Sequence, residues 1–123
     1  MSQYKGIGQI AITVSNLGAA TAFYRDRVGL DLMFEVPGMS FFDGGGVRLM
    51  FGEASREDQV PGSSIVYFRV DDIQAAHERL VAKEVPCERE PLVAHRAEDR
   101  DLWLAFYRDP EKNLFALMSE VPR

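Results

Sequence analysis

The chain has 123 residues, 46% of them apolar, including 8 Phe, 4 Tyr and 1 Trp, a composition that can bury a core and excludes an intrinsically disordered chain. Its formal net charge of −5, without a cluster of Lys or Arg, excludes a nucleic-acid-binding surface. No apolar run approaches the roughly 18 residues that a membrane-spanning helix needs, so such a helix is also excluded.

The first half of the chain carries signals for a strand, a helix and three further strands, in that order. Alternating apolar residues predict the first strand at residues 9–14. Asn16 is a helix cap, apolar residues then recur at helical spacing, and Gly29 ends the predicted helix. Three short strands separated by glycine-containing turns are expected at residues 31–36, 39–43 and 47–51.

The second half repeats this order. A strand is predicted at residues 65–70, and Asp72 caps the helix that follows it. Three strands are then expected at residues 87–92, 102–107 and 113–118. Aligning the two halves so that Val14 matches Val70 also aligns Asn16 with Asp72, which indicates an internal duplication. The sequence therefore predicts one domain over residues 1–123, with repeats at 6–53 and 63–121 and a linker at 54–62.

Each half alone would leave one face of a four-stranded sheet uncovered, because a single helix covers only the other face. Two such sheets are expected to pair around a concave surface, lined by the side chains that point away from the helices. By strand alternation, these side chains include Gln9, Ala11, Thr13, Arg48, Met50, Ile65, Tyr67 and Ala116.

Three segments of the chain carry a resemblance to a known superfamily: residues 10–16 with the Phe23-Tyr24 and Val28-Gly29-Leu30 motifs, residues 68–73, and residues 106–114. In this order they resemble the glyoxalase, bleomycin-resistance and extradiol dioxygenase proteins, the vicinal oxygen chelate superfamily. The resemblance covers residues 6–120. It implies an α+β fold in which two βαβββ modules form a curved eight-stranded mixed sheet around a cavity, and it implies a homodimer.

The same resemblance bears on metal binding. In metal-dependent members, four side chains hold a divalent ion, usually His or Gln, then Glu, His and Glu. The corresponding positions in this chain are Gln9, Met50, Ile65 and Ala116. Of these only Gln9 offers an oxygen donor, and one neutral amide cannot hold a divalent ion. We therefore expect no metal and no other cofactor.

The expected function is that of a glyoxalase/bleomycin resistance-like protein that binds and sequesters a small, aromatic or apolar molecule without a metal. Tyr67 and Trp103 are expected to supply aromatic walls. Arg48 is expected to pair with a carboxylate such as that of Glu53, or to lie at the rim, with an anionic ligand as the alternative.

Two enzymatic alternatives are also compatible with the sequence. One is a metal-dependent lyase or dioxygenase of the same superfamily, which requires that the ligand positions are misaligned. The other is a metal-free enzyme that uses His95, which we expect in a charged loop at residues 94–101 over the cavity mouth. His77 is expected to be a partly exposed helix residue.

The single cysteine, Cys87, cannot form an internal disulfide. Its acidic neighbours Glu88 and Glu90 raise a thiol pKa, so we expect a packing residue rather than a nucleophile. The first five residues also lack the basic-then-apolar order of a signal peptide. Together these features predict a cytoplasmic protein.

Overall fold

The computed structural model describes residue 3, residues 5–54 and residues 64–123. The chain divides into two compact units, Met1–Pro61 and Gly62–Arg123. The linker predicted at residues 54–62 lies, apart from residue 54, outside the described residues. Among the described residues, every helix is too short or too polar to span a bilayer.

The first unit contains one four-stranded mixed sheet and one helical segment. Its elements are β1 (Gln9–Val14), α1 (Leu17–Ala22), a π-helical continuation of α1 (Phe23–Val28), β2 (Asp31–Val36), β3 (Met39–Asp43) and β4 (Arg48–Glu53). The strand order is β1-β4-β3-β2. β1 and β4 are parallel, whereas the other two pairs are antiparallel. The strand expected at residues 47–51 thus extends to Glu53.

Local sequence explains where the helical segment starts and stops. The side chain of Asn16 accepts a hydrogen bond from the Ala19 amide at 3.0 Å, as an N-cap does. The segment ends at Gly29, whose φ of 90° favours glycine. The Gly29 amide donates to the Tyr24 carbonyl at 3.1 Å, an i→i+5 bond that belongs to the π-helical turn.

The core of the first unit lies between this helical segment and one face of the sheet. Val14, Phe42 and Phe51 are fully buried there. The Tyr24 ring stacks on Phe51 with 4.6 Å between ring centroids. The buried hydroxyls of Thr21 and Ser40 are 2.7 Å apart and satisfy each other. The other face of the sheet therefore carries the side chains that alternate with this core.

The second unit repeats the same order of elements. It contains β5 (Val66–Arg69), α2 (Ile73–Ala82), β6 (Cys87–Arg96), β7 (Arg100–Arg108) and β8 (Leu114–Pro122). The strand order is β5-β8-β7-β6, with β5 and β8 parallel. Asp72 caps α2 by accepting a hydrogen bond from the Ala75 amide at 3.0 Å. The prediction of two βαβββ modules is confirmed.

One helix residue is placed differently from the expectation. His77 is buried, with 8% of its surface exposed, and its Nδ1 lies 2.8 Å from the hydroxyl of Tyr107. Tyr107 is itself fully buried on β7. The expectation of a partly exposed His77 is therefore wrong. Helix α2 places this side chain against the sheet, where the Tyr107 hydroxyl is the hydrogen-bond partner of its ring nitrogen.

The β6–β7 hairpin is longer than predicted. β6 continues to Arg96 and β7 starts at Arg100, and the Ala97 amide donates to the Arg100 carbonyl at 2.8 Å. His95 therefore lies on a strand and not in the expected loop. β6 is an edge strand that contains Pro91, and its pairing with β7 shifts register between Arg89 and Leu92.

Candidate functional site

The face of the first sheet that points away from α1, called here the first helix-free face, is ordered in rows by strand register. Across β1, β4, β3 and β2, the middle row is apolar and is flanked by a polar row and a mixed row. The middle row consists of Ala11, Met50, Phe41 and Phe34. The polar row consists of Gln9, Arg48, Asp43 and Asp31, and the mixed row of Thr13, Gly52, Met39 and Val36. Two predicted binding residues on this face, Gln9 and Arg48, are direct neighbours.

Gln9 and Arg48 are joined by a hydrogen bond. The Nε of Arg48 donates to the Oε1 of Gln9 at 2.8 Å, and the Nε2 of Gln9 lies 3.8 Å from the sulfur of Met50. The guanidinium carbon of Arg48 is also 5.2 Å from the centroid of the Phe41 ring, within the range of a cation–π contact. The contacts that Gln9 and Arg48 make with Met50 and Phe41 therefore connect the polar row to the apolar row.

Of the outcomes expected for Arg48, the structure shows an exposed side chain rather than an ion pair with Glu53. Glu53 lies at the far end of β4, where its Oε2 accepts a hydrogen bond from the Leu17 amide at 3.4 Å. Arg48 starts the same strand, so the distance along the strand separates the two charges. The neutral amide of Gln9 takes the place of the expected carboxylate.

A cavity of about 280 Å³ opens on the first helix-free face. It is lined by Ala11, Ile12, Thr13, Pro37, Gly38, Met39, Met50, Gly52 and Glu53. A Cβ placed on Gly52 would lie 3.4 Å from the Gly38 carbonyl oxygen and 3.5 Å from the Cγ of Met39, which are ordinary contacts. The missing side chain of Gly52 thus helps to leave this space open.

Sequence reasoning missed most of this cavity. The predicted fourth strand stopped at residue 51, which left Gly52 outside the sheet. A glycine inside a strand is the signal that could have located the cavity, because it marks a close approach of backbone or ligand. Strand alternation did identify Ala11, Thr13 and Met50, which line this cavity.

The corresponding face of the second sheet, called here the second helix-free face, brings together two of the predicted residues. Tyr67 and Ala116 are register partners, and Ala116 is in turn opposite Phe106. Tyr67 is half-exposed and meets the Phe106 ring edge-on at 6.0 Å, whereas Ala116 is fully buried. Ile65, which is 43% exposed, precedes β5.

Trp103 does not lie on this face. It pairs with Ser119 on β8 and alternates in step with Ala105 and Tyr107, whose side chains point toward α2. Within its own unit, Trp103 is therefore on the opposite side of the sheet from Tyr67. His95 is exposed and is the register partner of Leu102, at the hairpin end of β7.

The donors at the four family positions do not fit a divalent metal ion. The oxygen of Gln9 accepts a hydrogen bond from a guanidinium that would repel a second cation at that site. Met50 offers a thioether, and Ile65 and Ala116 carry no donor atom. Within residues 5–54 and 64–123, no three His, Cys, Asp or Glu side chains are grouped as a metal site would require.

Cys87 lies exposed at the start of β6. Partial burial of its sulfur, and next the charge of Glu90, raise the pKa of the thiol above its ordinary value. The thiol form is therefore favoured, which disfavours Cys87 as an activated nucleophile. The expectation of a packing residue is wrong, because Cys87 is exposed.

Comparison with known families identifies the class of protein that this fold represents. The model of the Glyoxalase/Bleomycin resistance protein/Dioxygenase superfamily matches residues 6–117. The chain therefore belongs to this superfamily.

The similar proteins include an uncharacterized protein and an enzyme. The uncharacterized protein YraH of Bacillus subtilis (strain 168) is 26% identical, over 89% of this chain and 94% of the relative. The metallothiol transferase FosB of Staphylococcus haemolyticus (strain JCSC1435) is 38% identical, but the match covers 51% of this chain and 43% of FosB.

Solved structures agree with the fold. The lactoylglutathione lyase from Agrobacterium tumefaciens is 25% identical, with a TM-score of 0.76 over 96% of both chains. TnmS3, an antibiotic binding protein from Streptomyces sp. CB03234, is 23% identical, with a TM-score of 0.80 over 98% of this chain and 99% of TnmS3. Because one fold carries these different activities, function has to be argued from the site itself.

Proposed function

We propose that this chain binds and sequesters a small, apolar or aromatic molecule without a metal ion, at the cavity of the first helix-free face. The observation that carries the proposal is the cavity itself, with its glycine floor at Gly52 and its thioether walls from Met39 and Met50. Methionine side chains adapt to irregular apolar ligands. A volume of about 280 Å³ is near the lower end of ligand pockets, which favours a ligand of one or two rings.

The donor atoms beside the cavity also favour ligand binding without catalysis. Lewis-acid catalysis requires several strong ligands around one ion, whereas Gln9 has its oxygen engaged by Arg48 and lies beside the Met50 sulfur. The description of TnmS3 as an antibiotic binding protein gives a precedent within this fold. We do not favour an enzyme based on His95, because its ring has no hydrogen-bond partner in the described part of the chain to orient it.

The remaining parts of the proposal come from the sequence. Ile65 and Tyr67, which are exposed, are proposed as ligand contacts on the second helix-free face, whereas Ala116 is fully buried and is not kept as a contact. A homodimer and a cytoplasmic location are proposed from the superfamily resemblance and the cysteine content. Light scattering at micromolar concentration tests the dimer, and a monomer mass would contradict it.

Filling the cavity floor is expected to weaken ligand binding. We expect a thermal-shift screen of aromatic and apolar compounds to find ligands that stabilise the wild type. Gly52→Val should lower the affinity for these ligands by about tenfold or more, about 1.4 kcal/mol, because the methyl groups of valine occupy the cavity. Gly52→Ala should have a smaller effect of the same sign, since its Cβ makes only ordinary contacts.

Gly18→Ala is the matched control, because Gly18 lies in α1 and a Cβ there meets only the Asn16 side chain at 3.7 Å. It should leave affinity unchanged. Titration calorimetry of the hits gives the affinities. A screen without a stabilising compound, or hits that bind Gly52→Val as tightly as wild type, would contradict the proposed function.

Divalent metals are expected to leave the protein unaffected. Zinc, nickel, manganese and ferrous ions should neither change the fluorescence of Trp103 stoichiometrically nor raise the thermal midpoint. A real site at a hundredfold excess over its Kd would add about 2.7 kcal/mol of stability, which such a scan detects. A stoichiometric stabilisation that disappears in Gln9→Ala would show that the ligand positions are misassigned.

A further inference from the structure

The Arg48 guanidinium is held in place without a matching negative charge. Its Nε donates to the neutral amide of Gln9, and its carbon lies over the Phe41 ring. Its two terminal nitrogens donate to no protein group within residues 5–54 and 64–123. By contrast, Arg25, Arg96 and Arg108 each pair with a carboxylate.

Asp43 is the carboxylate closest in register to Arg48. It faces Arg48 across the β3–β4 pair, yet its Oδ1 accepts a hydrogen bond from the Gly45 amide at 2.8 Å. The two side chains form no ion pair in the described part of the chain. The turn after β3 therefore engages the Asp43 carboxylate, which leaves the outer edge of the guanidinium available.

This cation is adjacent to the cavity. Arg48 and Met50 are two residues apart on the same face of β4, a separation of about 7 Å along the strand. Met50 lines the cavity, and Gln9 contacts both side chains. Phe41 and Phe34, stacked with 4.4 Å between centroids, extend an aromatic surface from the cation across β3 and β2.

We propose that the ligand of this cavity is a small aromatic carboxylate, whose ring lies against Met39 and Met50 and whose carboxylate is bound by the terminal nitrogens of Arg48. This inference rests on the proposed function and adds the chemical class of the ligand. A guanidinium fixed at Nε presents its remaining N–H groups in one plane, which matches the two oxygens of a carboxylate. Gln9 and Phe41 act here as positioning residues, since they orient Arg48 before the ligand arrives.

The test compares two probes of nearly equal shape, 2-naphthoate and its uncharged amide, 2-naphthamide, by titration calorimetry at pH 7. Wild type should bind 2-naphthoate about ten- to a hundredfold more tightly than 2-naphthamide, as charge-assisted hydrogen bonds provide. Arg48→Gln should remove that preference while changing the affinity for 2-naphthamide less than threefold. Acetate should bind at least a hundredfold more weakly than 2-naphthoate, since it lacks the ring.

Arg25→Gln is the matched control, because it removes the same charge from an arginine that already pairs with Asp26 on the helical segment. It should leave both affinities unchanged. Equal binding of the two probes by wild type, equal loss of both in Arg48→Gln, or no binding of either probe would overturn the inference. The proposed function has a separate test: it fails if Gly52→Val changes the affinity for no compound, whether charged or neutral.

Discussion

Replacing Phe51 with Ala is expected to lower the free energy of unfolding by about 3–5 kcal/mol, the range for deleting a buried aromatic ring. Phe51 is fully buried. Its ring stacks on Tyr24 at 4.6 Å and meets Phe42 edge-on at 5.5 Å, so its loss leaves a void between the helical segment and the sheet. Urea unfolding followed by circular dichroism measures the change.

Phe34→Ala is the control for this substitution. Phe34 has 44% of its surface exposed and contacts Phe41 on the other side of the same sheet. We expect this substitution to lower the free energy of unfolding by about 1 kcal/mol, the contribution of an aromatic pair. If both substitutions cost the same, the core of the first unit does not lie where the ring contacts place it.

Tyr107 is expected to make stability fall at alkaline pH. Burial, and in the same direction the neighbouring Cys87 thiolate, raise the pKa of the Tyr107 phenol far above its ordinary value. The unfolded chain loses this proton near pH 10, while the folded chain keeps it. Stability is therefore fully present below pH 10 and falls above it, by up to about 1.4 kcal/mol per pH unit.

Tyr107→Phe isolates this contribution. At pH 7 the variant should be less stable by about 1–3 kcal/mol, because the buried Nδ1 of His77 loses its partner. Above pH 10 the difference from wild type should shrink, since the variant has no phenol to ionise at this position. Urea unfolding at intervals between pH 7 and pH 11.5 measures both terms, and parallel profiles for the two proteins would contradict the assignment.

The sequence predicted the elements whose local signals agree with their packing. Asn16 and Asp72 each start a helix because a side-chain oxygen satisfies an amide of the first turn. β1 was predicted at its observed bounds because its apolar residues alternate up to the buried Val14. The repeat of these signals was enough to predict both βαβββ modules.

The parts that could not be predicted depend on contacts distant in sequence. The end of β6 is charged, and a register shift between Val93 and His95 breaks the alternation just before His95, so no apolar period marks this end of the strand. The burial of His77 depends on a hydroxyl 30 residues away, on Tyr107. The pairing of Arg48 with Gln9 arises from parallel strands 39 residues apart in sequence, and it leaves no sign in either segment.

The edge strand β6 also bears on how molecules of this protein avoid pairing with one another. A free strand edge offers a row of unpaired N–H and C=O groups to which another chain can add a strand, the first step toward aggregation. In β6, Pro91 has no N–H to donate, and Glu88, Arg89 and Glu90 place charges beside it. The register shifts between Cys87 and Leu92 further distort the edge that an incoming strand would have to match. These features disfavour the addition of a further strand at β6.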